Sequence, residues 1–266
     1  MMKKAMPGDP ASHYKLWSSK EADEKFLCPG AVGAITYEAG SISSYKFAIG
    51  VLKLALAKGL NLQTRTPVTR LSKDNNGWNV ITPRSTIGAS KVIMATNGYT
   101  AAISPKLQGT IVPLRGQITA HRPGSNMPRS GLPTTYSFIY GKGFDYMISR
   151  PTGSKWAGDI VIGGGLTKGV EEGLYQYGNT DDRAVELGIS KYLVESTVKF
   201  FGKENWGEDD PEGRIRREWS GVMGYSADLH PLVGEMPGEK GLFISASFQG
   251  HGMLCQLCNF KVGFPG

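Results

Sequence analysis

Two kinds of strand, one at both ends of the chain and the other in its middle, limit what this sequence can fold into. Lys91-Val-Ile-Met-Ala95 and Gly241-Leu-Phe-Ile-Ser-Ala-Ser247 are short, continuously apolar runs. Runs of that kind are buried on both faces, as in a parallel sheet. Between them, residues 111–121, 137–140, 146–150 and 159–163 read as period-two strands joined by Gly, Pro and Ser turns. That pattern belongs to an antiparallel sheet. A chain that leaves one sheet, builds another and returns is discontinuous. We therefore expect an α/β (α+β) fold in which 60–104 and 229–266 form one unit and 105–228 a second. Residues 1–59 would form an irregular segment followed by a helix.

The helix spans 44–58. Phe47, Ile49, Leu52, Leu54, Ala55 and Leu56 give it a broad apolar face, Ser43 or Ser44 caps it, and Gly59 ends it. A second helix spans 182–201, with Ala184, Leu187, Ile189, Leu193, Val198 and Phe201 turned inward. A strand is expected at 62–70. The turn Asn75-Asn76-Gly77 then leads into a strand at 78–82, a strong hairpin signal. Residues 1–40, punctuated by Pro7, Pro10, Pro29 and Gly33, read as irregular, and Ser220, Gly221 and Ser226 as turn residues. A last helix is expected from Met253 to about residue 262.

Several function classes fall away. The net charge is +7, but the basic residues are scattered, and acidic Glu212 and Glu218 flank the one cluster, Arg214-Ile-Arg-Arg217. A nucleic-acid surface would be denser and interleaved with aromatics. The positive field suits an anionic substrate or a cofactor pyrophosphate. Three cysteines argue for a reducing, cytoplasmic compartment. No stretch is apolar for long enough to span a membrane. Cys255-Gln-Leu-Cys258 lies inside an apolar helix without a thioredoxin-like strand beside it, and the four histidines are dispersed, so no metal site is expected. Asp159-Ile-Val-Ile-Gly-Gly-Gly165 is followed by a polar, irregular stretch and reads as a strand with a glycine-rich turn, not as a nucleotide fingerprint.

The strongest local chemical signal is the strand 243–247 followed by Gly250-His251-Gly252 and a helix start. The glycines let a ligand approach the backbone. The helix start offers free amides and a positive dipole end, which suits an electron-rich edge. An ordinary strand–loop–helix has the same spacing. Tyr136, Phe138, Tyr140, Phe144, Tyr146, Trp219 and Tyr225 suit an aromatic ligand pocket and, equally, an aromatic core.

Four stretches together carry a resemblance. They are Gly59-Leu-Asn-Leu-Gln-Thr-Arg-Thr-Pro-Val68, Val92-Ile-Met-Ala-Thr-Asn-Gly98, Pro113-Leu-Arg-Gly-Gln117, and the pair Trp219-Ser-Gly-Val-Met-Gly-Tyr-Ser-Ala-Asp-Leu-His-Pro-Leu-Val-Gly234 with Ser247-Phe-Gln-Gly-His-Gly-Met253. The chain resembles the D-amino-acid oxidase/sarcosine oxidase/glycine oxidase family of FAD-dependent oxidoreductases, its fungal members above all. The resemblance implies a FAD-binding unit plus an antiparallel-sheet substrate domain. It implies oxidation of a C–N bond in a small amine or amino acid, with hydride passing to flavin N5 and oxygen reduced to hydrogen peroxide. Carried over by position, Val68, Ala95, Thr96 and Gly98 would face the adenine and pyrophosphate, and Gly250, His251, Gly252 and Met253 the isoalloxazine edge. Arg115, Tyr146 and Tyr225 would line the substrate pocket, and no side chain is assigned as acid or base. Met223 stands where some relatives attach the flavin through cysteine, which implies non-covalent FAD.

The family's opening G-x-G-x-x-G and its ribose-binding acidic residue do not occur before residue 60. The resemblance therefore implies a truncated FAD-binding unit with an exposed sheet edge, open to a second copy or a partner chain. The alternative is a non-catalytic or repurposed module that binds a small molecule or a partner chain without flavin.

Overall fold

The computed structural model describes residues 2–5, 7–9 and 12–253. In chain order the helices and strands are α1 (Met2–Ala5), β1 (Tyr14–Ser18), α2 (Ser19–Phe26), β2 (Gly33–Tyr37), α3 (Ser44–Ala57), β3 (Arg70–Asp74), β4 (Gly77–Ile81), β5 (Thr86–Ala89), β6 (Val92–Met94), α4 (Thr100–Ile103), β7 (Val112–His121), β8 (Tyr136–Tyr140), β9 (Gly143–Ser149), β10 (Ile160–Gly163), α5 (Leu187–Trp206), β11 (Ile215–Tyr225), β12 (Leu232–Glu235) and β13 (Leu242–Ala246). The fold is mixed α/β with antiparallel sheets. It divides into two units, one made of Met1–Ser41, Gly116–Leu174 and Arg183–Ser220, the other of Ile42–Arg115, Tyr175–Asp182 and Gly221–Gly266. The cuts fall inside β7 and β11, so these two strands pass from one unit to the other, whereas sequence reading placed its boundaries in the connecting segments.

The first unit is built on a five-stranded sheet of order β11-β7-β10-β9-β8. Its pairings from β7 to β8 are antiparallel where the register is resolved, with Gly163 opposite both Ile118 and Tyr146. One face is covered. Met147, Ile160 and Ile162 pack with Ile189, Leu193, Phe201 and Trp206 of α5, and the Phe138 and Phe200 rings stack at 3.8 Å. Side chains alternate across a strand, so their neighbours point the other way. That face is open towards β8, where Ile139 is 82%, Phe144 54% and Tyr146 41% exposed, and closes towards β7, where Ala120 is buried.

The second unit holds β12-β13-β6 and the meander β3-β4-β5. β6 pairs with β13 in parallel. Trp78, Met94, Leu107, Ile111, Leu242, Ile244 and Ala246 form its core. The Trp78 indole donates to the Lys240 carbonyl at 3.1 Å, tying the meander to the approach to β13.

The structure corrects several expectations. Residues 1–40 are not irregular: β1 and β2 pair antiparallel around α2. Ser18 caps α2 in a reciprocal box with Glu21, a Ser-x-x-Glu signal present in the sequence. No strand spans 62–70, where Arg65 has φ +51. α5 begins five residues later than expected, because Glu186 accepts from the Ile189 amide and starts it there. Its regular part ends at Phe201, as expected, because Gly202 has a non-helical φ of +74 that kinks the chain before the last turn to Trp206. Ser220 and Gly221 lie within β11, not in a turn. β6 is not buried on both faces: Met94 is buried, yet Ile93 is 46% exposed. The expected helix after Met253, with Cys255 and Cys258, lies outside the described residues.

Candidate functional site

In the second unit, the loop after β13 is held in an unusual shape. Ser247, Gln249 and Gly250 have φ of +64, +54 and +81. Non-glycine residues in this region are strained, and such strain collects at ligand-binding positions. What holds the loop is a side-chain network. The Ser247 amide donates to Asn97 Oδ1 at 2.9 Å. The Gln249 amide donates to the Gly224 carbonyl at 3.2 Å. Gln249 Nε2 lies 2.9 Å from Ser226 Oγ, from Ser247 Oγ and from the Ser247 carbonyl. Ser226 sits in a turn closed by Asp228, whose carboxylate accepts from the His230 amide at 3.0 Å. That bond and the Ser226 hydroxyl hold the Asp228 carboxyl below the usual range.

Two chemical properties of the loop are left over. Gln249 Oε1 is buried and has no donor among the described residues. The amides of Phe248 and Gly250 have no acceptor among them. A buried acceptor without a donor is costly unless a ligand or water supplies one. The pyrimidine edge of a flavin carries an N–H between carbonyl acceptors, so the donor and acceptor set of this loop fits it.

The expected site residues are placed as follows. Gly250 and His251 are exposed. The His251 amide donates to the Phe248 carbonyl at 2.7 Å, and its Nδ1 lies 2.9 Å from the Gln249 carbonyl. Gly252 and Met253 are helical, Met253 being the last described residue. Tyr225 lies beside this loop: a methyl at Gly250 would be 3.9 Å from its hydroxyl and 3.5 Å from Met223 Sδ. Burial, and then the neighbouring Tyr177, pushes the Tyr225 phenol up from its ordinary value, so it keeps its proton. Gly98 is buried, and a methyl there would come within 2.6 Å of the Met223 carbonyl. Gly224 makes the reciprocal close approach to Asn97 and Gly98. Both glycines thus let two backbones meet. Ala95 is exposed, and the Thr96 and Thr100 hydroxyls are 2.9 Å apart. Val68 is half-buried outside this network. The Arg115 guanidinium is buried; Nε donates to Gln176 Oε1 at 2.8 Å and an outer nitrogen to the Asp181 carbonyl at 3.1 Å. It clamps the segment that carries Tyr177.

Loop and turn therefore gather Gly98, Tyr225, Gly250 and His251, with Asn97, Ser226, Ser247 and Gln249 as the supports that sequence reading missed. The Asn97-Gly98 and Ser226-x-Asp228 turn signals were the available clues.

Tyr146 belongs to the first unit and stands on the open sheet face, with its ring 6.2 Å from that of Phe144. On the covered face its neighbour Asp145 is fully buried. Asp145 accepts from the Gly165 amide at 2.7 Å and from the Tyr140 and Tyr192 hydroxyls at 2.9 and 2.6 Å. Burial raises Tyr140 to about 12 and pushes Tyr192 up as well, so both stay donors to the carboxylate. The three-glycine turn is thus spent on the chain's own acidic side chain. Among the described residues, no three His, Cys, Asp or Glu side chains are grouped to hold a metal ion, and no helix is long and apolar enough to cross a membrane.

Comparison with known proteins gives one family model, described as FAD dependent oxidoreductase (DAO), matching residues 4–256. Glycine oxidase of Geobacillus kaustophilus strain HTA426 is 22% identical over 250 residues, which are 93% of this chain and 59% of the relative. The chain thus spans about three-fifths of that relative's length. Among solved structures, glycine oxidase from Geobacillus kaustophilus aligns with TM-score 0.74 and 18% identity, over 99% of this chain and 66% of that one. Amadoriase I (a double cysteine mutant) from Aspergillus fumigatus aligns with TM-score 0.70 and 12% identity, over 94% and 59%. L-proline dehydrogenase from P. horikoshii aligns with TM-score 0.69 and 21% identity, over 91% and 60%. These likenesses establish the fold.

Proposed function

The chain belongs to the family of FAD-dependent oxidoreductases, and from that premise we propose that it serves in oxidising the C–N bond of a small amine or amino acid, with non-covalently held FAD. The observation that carries the reading is the loop after β13, strained at Ser247, Gln249 and Gly250 and left with one buried acceptor that lacks a donor among the described residues. When bound, the isoalloxazine would take the hydride from the substrate carbon and pass its electrons to oxygen.

The chain's own residues would do the rest. Gly250, His251, Gly252 and Met253 border the isoalloxazine edge, with Gln249 Oε1 accepting from its N–H. Thr96, Gly98, Ala95 and Val68 belong to the adenine and pyrophosphate side. The second unit is then the flavin-binding unit and the first the substrate domain. Tyr225, which keeps its proton, donates a hydrogen bond. Tyr146 and Phe144 offer an apolar, water-excluding surface for the body of a neutral amine. Arg115 acts by fixing the segment 175–182 and hence Tyr177.

A visible absorption spectrum of the purified chain, taken before and after excess FAD and gel filtration, tests the reading. Retained flavin bands are expected, and Gly252→Asp is expected to abolish them by placing a charge at the ring edge. Colour that survives Gly252→Asp would remove this loop from the cofactor site.

A second reading, a binding module without flavin, is favoured by α3. This apolar helix buries none of its residues. It predicts a colourless, folded chain that self-associates or captures a partner through that helix and the β6 edge. A colourless and strictly monomeric chain in light scattering would count against it.

A further inference from the structure

The turn Gly163-Gly164-Gly165 answers two consecutive side chains of β9. Gly163 stands directly opposite Tyr146. A methyl at 163 would lie 2.5 Å from both Tyr146 Cζ and the Tyr146 hydroxyl, and 2.7 Å from Cε2. The phenol ring therefore lies flat across the bare backbone of the neighbouring strand. An aromatic ring covering a cross-strand glycine is a stabilising pair that also fixes the ring's direction. On the other face, Asp145 is locked by the Gly165 amide and by Tyr140 and Tyr192. The backbone that carries Tyr146 is thus pinned from beneath, and the ring is seated from the side.

The two glycines differ in what they face. At Gly163 the colliding atoms are the far end of one side chain. At Gly164, φ is +135 and the Phe144 carbonyl would be 2.7 Å away. A side chain at 164 strains the backbone, whereas one at 163 only has to turn a ring aside. The rest of that face carries no charge between β7 and β8. Ile118, Ala120, Ile148 and Val161 lie in the rows around Tyr146, with Phe144 and Ile139 beyond. Ser137 stands directly opposite Tyr146 on β8 and is the polar side chain in those rows.

We propose that Gly163 is a positioning residue for Tyr146, seating its phenol as a wall for the uncharged, apolar body of the substrate amine. This rests on the reading of Tyr146 as a substrate-facing residue. Gly163 touches no reacting atom and acts only through the ring it seats.

The test is fluorine NMR of the full chain labelled with 3-fluorotyrosine. Tyr146→Phe identifies the Tyr146 resonance among the 11 tyrosines. Benzylamine is the probe. In the native chain it is expected to shift the Tyr146 resonance. In Gly163→Ala that resonance is expected at a new position, with those of Tyr140 and Tyr192 unmoved, and benzylamine binding about tenfold weaker, as small misplacements of positioning groups produce. A Tyr146 resonance that stays in place overturns the seat. A moved resonance with unchanged benzylamine affinity overturns the positioning role. Benzylamine without effect on Tyr146 in the native chain overturns the underlying reading of that residue, whatever Gly163→Ala does. If Gly163→Ala does not fold, the double variant Gly163→Ala/Tyr146→Ala, which removes the collision, is expected to fold. Its failure to do so would overturn the proposal.

Discussion

Helices α3 and α5 show opposite relations between composition and burial. α3 carries only two charged residues, Lys46 and Lys53, in fourteen. α5 carries Lys191, Glu195, Lys199, Lys203 and Glu204. The more apolar helix buries nothing, and Tyr45 and Leu54 are 76% and 66% exposed. The more polar one buries Ile189, Leu193, Phe201 and Trp206. Apolar sequence measures how much a helix gains by being covered. What covers it is decided elsewhere. For α5 the cover is the β7–β10 face of the same chain. For α3 none exists among the described residues, and contiguous exposed apolar surface of this kind marks an interaction site.

The largest effect that sharpens the contrast is a cavity under α5. Phe201 is fully buried, edge-on to Tyr136 at 5.8 Å between ring centres. Phe201→Ala is expected to cost about 3–5 kcal/mol, the range for a buried phenylalanine truncated to alanine. Urea denaturation of the first unit's transition measures it. A cost below about 1 kcal/mol would mean that α5 is not the covered helix we describe.

Acid acts on the same side of the contrast. His121 is fully buried, with Nδ1 2.9 Å from the Thr197 hydroxyl on α5. Burial, then the Arg214 guanidinium, lowers it to about 3, against a smaller opposing effect of Asp209. Its folded value thus lies below its unfolded value of about 6.5, so the unfolded chain binds a proton that the native chain refuses. The stabilisation is complete above about pH 6.5 and is lost as pH falls towards the folded value. Urea midpoints between about pH 7 and 4 are expected to decline, and His121→Gln is expected to flatten that slope. A slope unchanged by His121→Gln would place the acid sensitivity elsewhere.

The contrast also explains what the sequence made legible. Period two found β7, β8, β9 and β10, because a sheet with one covered face imposes alternation on each strand. It missed β11, whose Arg216-Arg217-Glu218 and Ser220-Gly221 interrupt any alternation. The apolar run of α3 was legible as a helix, and its lack of cover was not, since cover is a property of other segments. At the site, Gly250 stood out from local pattern and Tyr225 from the resemblance. Asn97, Ser226 and Gln249 were not, because their roles depend on contacts across more than twenty residues of sequence. The three glycines were rightly separated from a nucleotide fingerprint, but Asp145 as their partner could be seen only with β9 and β10 side by side.

A smaller effect is expected at α2, which buries Ala22 and packs Phe26 against the first unit's core but also carries a cap of its own. Ser18 accepts from the Glu21 amide at 3.3 Å, and Glu21 accepts from the Ser18 amide at 2.9 Å. Ser18→Ala is expected to cost about 1 kcal/mol, as loss of an N-cap does. A thermal melt of the variant against the native chain measures it. A neutral substitution would mean that packing of Ala22, the one buried residue of α2, carries the helix instead.

The smallest expected change decides whether α3 is what it looks like. A fourteen-residue helix is near the length at which isolated helices are marginal. α3 has one side-chain capping bond, from the Lys46 amide to Ser43 at 3.4 Å, and no buried side chain. Leu54→Ser removes apolar surface that already faces water, so folding stability should stay within about 0.5 kcal/mol of the native chain. Association should respond instead. Each apolar side chain removed from an exposed patch weakens whatever the patch binds, so light scattering of Leu54→Ser should show less self-association than the native chain. If Leu54→Ser costs as much as a core truncation, about 2 kcal/mol or more, then α3 is covered in solution by protein in contact with it. The two helices would then differ only in where their cover comes from. If neither stability nor association moves, the patch binds nothing under those conditions, and the reading of this chain as a partner-binding module loses its main support.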